Sequence, residues 1–433
     1  MTDINTEVAI IGAGAAGLAA ARRLHERGID AVVLEARDRI GGRAYTLQPS
    51  RESAPVELGA EFIHGTPPVT LSLMHECGEK AADVPSRAFQ FGNEDFEDRS
   101  DLWDTAERLL RRVDPNAPDR SVADFLKALP PDEATTEQLD AVRMIVEGFE
   151  AADTSDASVI AIANEWLGGT ERGTLRPLNG YAPLMACLAR IGEARILLQT
   201  RVDEIRWSSG NVRVLATDAD GQLEVQARRA VITLPIGVLR DNAVLFTPPL
   251  PPPKRAAIDA MRMGPVIRVV LAFRSPFWEH TEGGRYRDAA FFYAPQGKFP
   301  AIWTRLPQHA SFLVAWAGGS AVKRIAAAGL DPIEAALQAC AAIFPSVDVR
   351  SELREVYHHD WQADPFARGA YAYLRVGAGD ARDALTTPIE ETLYFAGEAT
   401  SNDEPGTIAG ALESGYRAAD AITGSESGRL PST

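Results

Sequence analysis

Three glycines and an acid near the start of the chain have the types and spacing to hold a dinucleotide. Gly12, Gly14 and Gly17 lie in VAIIGAGAAGLAAARRLHERGIDAVVLEA, Val8 to Ala36. The first permits a tight turn and the second lets the backbone approach a pyrophosphate. The third lets a helix pack on the preceding strand, so that the helix N-terminus at Ala15 and Ala16 faces the phosphates. Glu35 follows Gly17 by 18 residues, near the distance expected for a carboxylate that accepts ribose hydroxyls, with Ala36 beside it. That carboxylate would repel a ribose 2′-phosphate, which argues against NADP. A GxGxxG alone is a weak signal; here strand, helix, second strand and acid come in the right order. The continuation ARDRIGGRAYT separates FAD from NAD. Gly41 and Gly42 allow a second close pass of the backbone, and Arg37, Arg39 and Arg43 supply cations near a pyrophosphate.

A second stretch carries a residue that its surroundings do not want. GPVIRVVLAF, Gly264 to Phe273, reads as a buried strand, yet Arg268 sits in its middle. An unpaired guanidinium in an apolar layer is costly, so the fold must offer it a carboxylate, a water or a bound ligand.

The elements that position these groups need a large chain. With 433 residues, two or more domains are expected. The composition is that of a globular protein, and a formal net charge of -16 disfavours nucleic acid or an anionic membrane as partner. Cys77, Cys187 and Cys340 stand in no CxxC or Cys/His spacing and are expected to be reduced core residues, without a metal site, in a cytoplasmic protein. MTDINTE runs straight into a strand without the pattern of a secretory signal, and no apolar run is long enough to span a membrane. The segment after Ile422, TGSESGRLPST, is polar. No second GxGxxG follows another strand, so a separate NADPH site is not expected.

From Val8 to about Ile422 the chain resembles the flavin-containing amine oxidase family, closest to its soluble polyamine-oxidase-like branch. VELGAEFIHG, Val56 to Gly65, looks like the family segment that passes the flavin and the substrate cavity, through Gly59, Ala60, Glu61 and Phe62. His64 stands where the polyamine oxidase branch has a cavity residue; read from the residue alone, it is equally a hydrogen-bonded core histidine. RVDEIRW resembles the strand whose backbone contacts adenine at Val202. LYFAGEATSNDEPGTIAGALESGYRAADAI, Leu393 to Ile422, resembles the second cofactor segment. There Gly397 and Glu398 meet the ribityl or pyrophosphate portion, and Gly406, Thr407 and Ile408 open a helix aimed at the flavin ring. HHDWQADPFARGAYAY resembles the aromatic wall, with Trp361 beside the ring and Tyr371 facing it.

The resemblance implies an α/β fold: a discontinuous, Rossmann-like FAD-binding domain (1–82, 174–262 and 385–424) and an α+β substrate domain (83–173 and 263–384), with a flexible tail at 425–433. It implies an FAD-dependent amine oxidoreductase that takes hydride from the α-carbon of an amine to flavin N5. The imine then hydrolyses, and oxygen or another acceptor reoxidises the flavin. Ala370 stands where monoamine oxidases bond a cysteine to the flavin, so FAD is expected to be noncovalent. Arg268 replaces a lysine that holds a water near N5; here it can hold the water, pair with a carboxylate or bind an anionic substrate group. Thr407 replaces a tyrosine, which leaves Tyr371 as the facing ring. An L-amino acid oxidase, a carbon–carbon desaturase and a non-catalytic flavoprotein are the alternatives, and a homodimer remains open.

Overall fold

The computed structural model describes residues 2–92, 95–98, 102–168, 173–193 and 195–424. The expected tail at 425–433 lies outside them. Val8–Ile11, Ala15–Glu26 and Ala31–Leu34 form the anticipated strand, helix and strand. Val8–Ile11 is buried on both faces, which is why it reads as an unbroken apolar run. It lies at the centre of a five-stranded parallel sheet in the order Arg195–Leu197, Ala31–Leu34, Val8–Ile11, Arg229–Ile232, Leu393–Phe395. Strands from both ends of the chain therefore share one sheet, and the helix Ile408–Thr423 packs against Ala15–Glu26. A Cβ on Gly17 would stand 1.9 Å from the Gly12 carbonyl oxygen, so the absence of a side chain there is what lets helix and turn meet.

A second five-stranded sheet, in the order Thr2–Asn5, Gly221–Ala227, Asn211–Asp218, Arg201–Ser208, Leu245–Thr247, packs its apolar face into the same core. The stretch around Arg268 forms the strand Val266–Phe273. It sits between Leu353–His359 and Phe312–Gly318 in a seven-stranded sheet that continues through Ala301–Trp303, Phe291–Tyr293, Ala88–Gly92 and Asp95–Asp98. The helices Leu102–Leu110, Thr136–Phe149 and Val159–Gly168 form a layer beside this sheet. Thr135 and Gln138 close a reciprocal capping box at the start of the second of them. No helix among the described residues is long and apolar enough to cross a membrane.

One expectation is overturned. Cys77 and Cys187 are joined in a disulfide, with Cα atoms 6.0 Å apart across a sequence separation of 110, and only Cys340 is a free, buried thiol. Cys77 ends the helix Pro68–Glu76, Cys187 lies inside Ala182–Ile191, and tertiary packing alone brings the two together. The argument for a cytoplasmic protein from reduced thiols falls with this pairing.

Candidate active site

One cavity of about 1600 Å³ runs from the glycine-rich turn to the layer of helices. A drug-sized ligand needs roughly 300–1,000 Å³, so there is room for an extended cofactor and a second molecule. Gly12, Gly14, Ala15, Ala16, Glu35, Ala36 and Arg37 line one end, and Val202 lies beyond them with Leu234, Val238 and Val244. Gly14 is the N-cap of Ala15–Glu26 and has no side chain to cap the first amides, which leaves that helix end open toward an anion. Among the expected cofactor residues Gly17 and Arg39 are off the wall; the work of Gly17 is in the helix contact described above. Glu35 is buried and accepts hydrogen bonds from the backbone N–H of Ala13 at 2.8 Å and of Arg37 at 2.9 Å, which fixes the carboxylate at the rim.

The arginines expected near a pyrophosphate are also held by groups of the protein. Arg37 makes two parallel bonds to Asp364, at 2.7 and 2.9 Å. Asp364 also pairs with His359 at 2.8 Å, and its carboxyl is held well below the usual range because the His359 and Arg37 bonds outweigh the cost of burial. Arg39 stacks on Tyr45 at 3.9 Å and donates to the carbonyls of Ile40 and Gly42. Arg43 donates to the carbonyl of Ala370 at 2.7 Å and to Glu398 at 2.8 Å, joining the N-terminal loop to the C-terminal segment.

Midway along, Gly42, Arg43, Gly59, Ala60, Glu61, Phe62, Arg268, Trp361, Ala370, Tyr371, Gly397, Glu398, Gly406, Thr407 and Ile408 enclose the space. Trp361 is buried and donates its indole N–H to Leu58 O at 2.7 Å, which fixes the ring on this wall. Tyr371 packs on Gly406 and donates its hydroxyl to Phe149 O; burial raises its phenol well above the usual value, so it stays protonated. Thr407 caps the C-terminal helix by accepting from Gly410 N at 3.0 Å. The residues on this stretch thus fit a flat ring system, and the N-termini of two helices, Ala15–Glu26 and Ile408–Thr423, open onto the cavity.

Arg268 has a carboxylate partner. Its guanidinium is buried, donates one bond to Glu61 and another, at 2.9 Å, to Gly59 O. Glu61 also takes the Trp303 indole N–H at 3.1 Å and an ion pair with Arg176 at 3.1 Å. Burial pushes the Glu61 carboxyl up, but Arg176, Arg268 and Arg305 outweigh it and hold it down to about 2. Arg268 still lines the cavity, so the ion pair forms part of the wall.

Past Tyr371 the cavity widens into an aromatic lobe that the sequence reading did not find. Trp103 and Trp166 stack at 5.2 Å, and Phe149 meets them edge-on at 5.0 and 5.9 Å. His64 lies 4.8 Å from Phe149, has no hydrogen-bond partner among the described residues, and is pushed down to about 4 by burial, hence neutral. It is part of the cavity wall. Glu150 accepts the Trp166 indole N–H at 2.7 Å and hydrogen-bonds Glu165, which pairs with the buried Arg382 at 2.6 Å. Burial, then the Glu165 charge, push the Glu150 carboxyl up to about 8. In the sequence these residues sit in a helical insert, where Trp103–Asp104, Phe149–Glu150 and Glu165–Trp166 each set an acid beside an aromatic without showing that they converge.

A profile of flavin-containing amine oxidoreductases matches residues 15–423. The chain belongs to that family, and its cofactor is FAD. It is 30% identical to lysine-specific histone demethylase 2 of Homo sapiens over 96% of this chain and 53% of that protein. It is 27% identical to polyamine oxidase 4 of Oryza sativa subsp. japonica over 95% of this chain and 88% of that one. The chain spans about half the length of the curated relatives it first matches. Among solved structures, cyclohexylamine oxidase from Brevibacterium oxydans IH-35A has a TM-score of 0.81 at 24% identity, covering 97% of this chain and 99% of that chain. Putrescine oxidase bound to putrescine has a TM-score of 0.80 at 20% identity, covering 98% and 100%. These likenesses establish the α/β amine oxidase fold.

Proposed function

We propose that this chain is an FAD-dependent oxidoreductase acting on an amine that carries positive charge, with the flavin bound noncovalently and oxygen or another acceptor taking the electrons. In this reading residues 1–82, 174–262 and 385–424 bind the cofactor and 83–173 and 263–384 shape the substrate space. The observation that carries it is the continuity of one cavity from the glycine-rich turn, past Trp361 and Tyr371, into a lobe that combines aromatic faces with the Glu150–Glu165 pair. When bound, FAD would supply the oxidation: with the reacting nitrogen uncharged, its proton lost to solvent or the positive charge carried on a second nitrogen, the hydrogen on the α-carbon would leave with its electron pair, giving an iminium for water to hydrolyse.

The chain's own residues select and orient. Aromatic faces attract an organic cation, by about 0.5–2 kcal/mol per ring according to how far the site is desolvated. The carboxyl pair holds one proton at neutral pH, and a cationic nitrogen placed against it would take over that proton's role. Neutral His64 and protonated Tyr371 add polarity without repelling a cation. Ala370 offers the flavin a methyl group and no nucleophile, and the free thiol of Cys340 belongs to a different core cluster. A carboxylate-bearing amino acid suits the lobe less well, because Arg268 is committed to Glu61 and the groups beside Trp166 are the Glu150–Glu165 acids. The acidic surface argues against nucleic acid or an anionic membrane as partner.

The test is anaerobic mixing of FAD-loaded protein with a library of monoamines, diamines, N-alkylamines and amino acids while flavin absorbance is followed. Bleaching by cationic amines supports the proposal; a flavin that stays yellow with every amine ends it. For a doubly charged substrate, Glu150→Gln should raise KM roughly tenfold or more, with kcat changed less, since a charged hydrogen bond contributes about 1.5–3 kcal/mol.

A further inference from the structure

The buried charge behind the middle of the cavity does not balance. Arg176, Arg268 and Arg305 are 0%, 3% and 1% exposed, and the firmly ionised carboxylate among them is Glu61. Donors are left over as well: Nε of Arg176, Nε of Arg268, and Nε and Nη1 of Arg305 are buried without a hydrogen-bond partner among the described residues. The other acid close by, Glu57, is buried and spends its oxygens on the Thr46 hydroxyl and the Tyr181 N–H, at 2.9 and 2.7 Å. Uncompensated cations in a low-dielectric interior are expensive, and a fold that keeps three of them stabilises negative charge nearby. Arg268 and Glu61 form the cavity wall on the stretch that Trp361, Gly59 and Tyr371 also line, where the flat part of the cofactor fits. Arg176 and Arg305 stand one layer further back, with Arg176 over the Phe62 ring at 4.8 Å and Arg305 donating to Pro177 O at 3.0 Å.

We propose that Arg176, Arg268 and Arg305 act together as an electrostatic bias that favours the negatively charged, reduced form of the flavin, with Glu61 as the counter-charge that limits it. The oxidised ring is neutral. Taking up two electrons and one proton leaves it with one negative charge, and that charge is what the excess of guanidinium over carboxylate stabilises. The cluster thereby makes the cofactor a stronger oxidant, whichever amine is consumed. The inference depends on FAD binding and is independent of the substrate class proposed above.

The experiment is the flavin midpoint potential of the holoenzyme, measured by equilibration with redox dyes and without any amine. Arg305→Met removes a charge that does not touch the cavity and should shift the oxidised-to-reduced balance about tenfold toward oxidised, a fall of about 30 mV for a two-electron couple. Glu61→Gln should shift it by a similar amount the other way, and Arg305→Lys, which keeps the charge, should stay near wild type. Opposite signs are the signature, because loosened packing would move both charge-changing variants in one direction. A variant that does not fold is replaced by a measurement on the wild type. Its potential should fall by about 30 mV per pH unit even in mildly acidic buffer, the slope of one proton per two electrons. Equal potentials for wild type and Arg305→Met, shifts of the same sign for both charge variants, or a wild-type slope twice as steep would each overturn the inference.

Discussion

Replacing Gly14 by Ala separates the needs of the fold from the needs of the cofactor. A Cβ built on Gly14 finds no heavy atom nearer than Gly42 Cα at 4.0 Å, and its φ of -77° is one that alanine adopts freely. The methyl group would therefore project into the cavity at the open helix end. For the protein without cofactor, two small effects nearly cancel: a gain of about 0.4–1 kcal/mol from a stiffer unfolded chain and a loss of about 0.5–1 kcal/mol at the N-cap, where glycine is favoured over alanine. Its melting temperature should stay close to wild type. With FAD the outcome differs, because a pyrophosphate against the Gly14 backbone would have to overlap the methyl. Overpacking of that kind costs about 1–3 kcal/mol, which weakens binding roughly 5- to 150-fold. Gly17→Ala is the contrasting control: its Cβ would lie 1.9 Å from Gly12 O, so the apoprotein itself should melt early. Thermal melts of both apoproteins and FAD titrations followed by flavin fluorescence read the two effects separately. If Gly14→Ala binds FAD as tightly as wild type, the pyrophosphate does not lie against this turn and the assignment of that end of the cavity fails.

Three further outcomes can be checked in solution. Reducing the Cys77–Cys187 bond, or changing Cys187 to Ser, frees a loop spanning 110 positions and should lower stability in urea by up to about 4–5 kcal/mol; unfolding curves unmoved by reductant would contradict the pairing. His64 has its folded value lowered from 6.5 to about 4, so its contribution is intact above pH 6.5 and is lost as pH falls toward 4, about 3 kcal/mol in all. His64→Phe should flatten that acid limb, and an unchanged limb would mean the ring is solvated. Glu57 has the opposite sign: its folded value is raised by burial from 4.5 to about 7, so stability is lost as pH climbs through that window, and Glu57→Gln should abolish the slope there.

What could be read from the chain was local or periodic. The glycines of the first turn, the acid at Glu35 and the apolar run around Arg268 each lie within one strand or one turn, and each stands where its neighbours in sequence imply. The partner of Arg268 could not be read in that way, because Glu61 is 207 positions away and is chosen by packing of the sheet on the Gly59 loop. Arg37, Arg39 and Arg43 stand out by their charge, but that Asp364, Tyr45 and Glu398 hold them follows only from packing of distant segments. Glu150, Glu165 and Trp166 were invisible for a related reason: at or near helices an acid or a tryptophan reads as surface or core, and only the packing of Thr136–Phe149 and Val159–Gly168 against Leu102–Leu110 brings them to a shared space.

The parallel sheet takes its central strand from Val8–Ile11 and an edge strand from Leu393–Phe395, and the helix after that edge closes over Gly406 to Ile408. During synthesis the glycine-rich turn emerges hundreds of residues before the segment that completes the cavity wall. A nascent chain can fold part of its nucleotide half early, yet it cannot enclose the coloured ring until residues near 410 have left the ribosome. Acquisition of the cofactor is therefore a late event that reports the completeness of the polypeptide, and molecules shortened before that point should accumulate without colour.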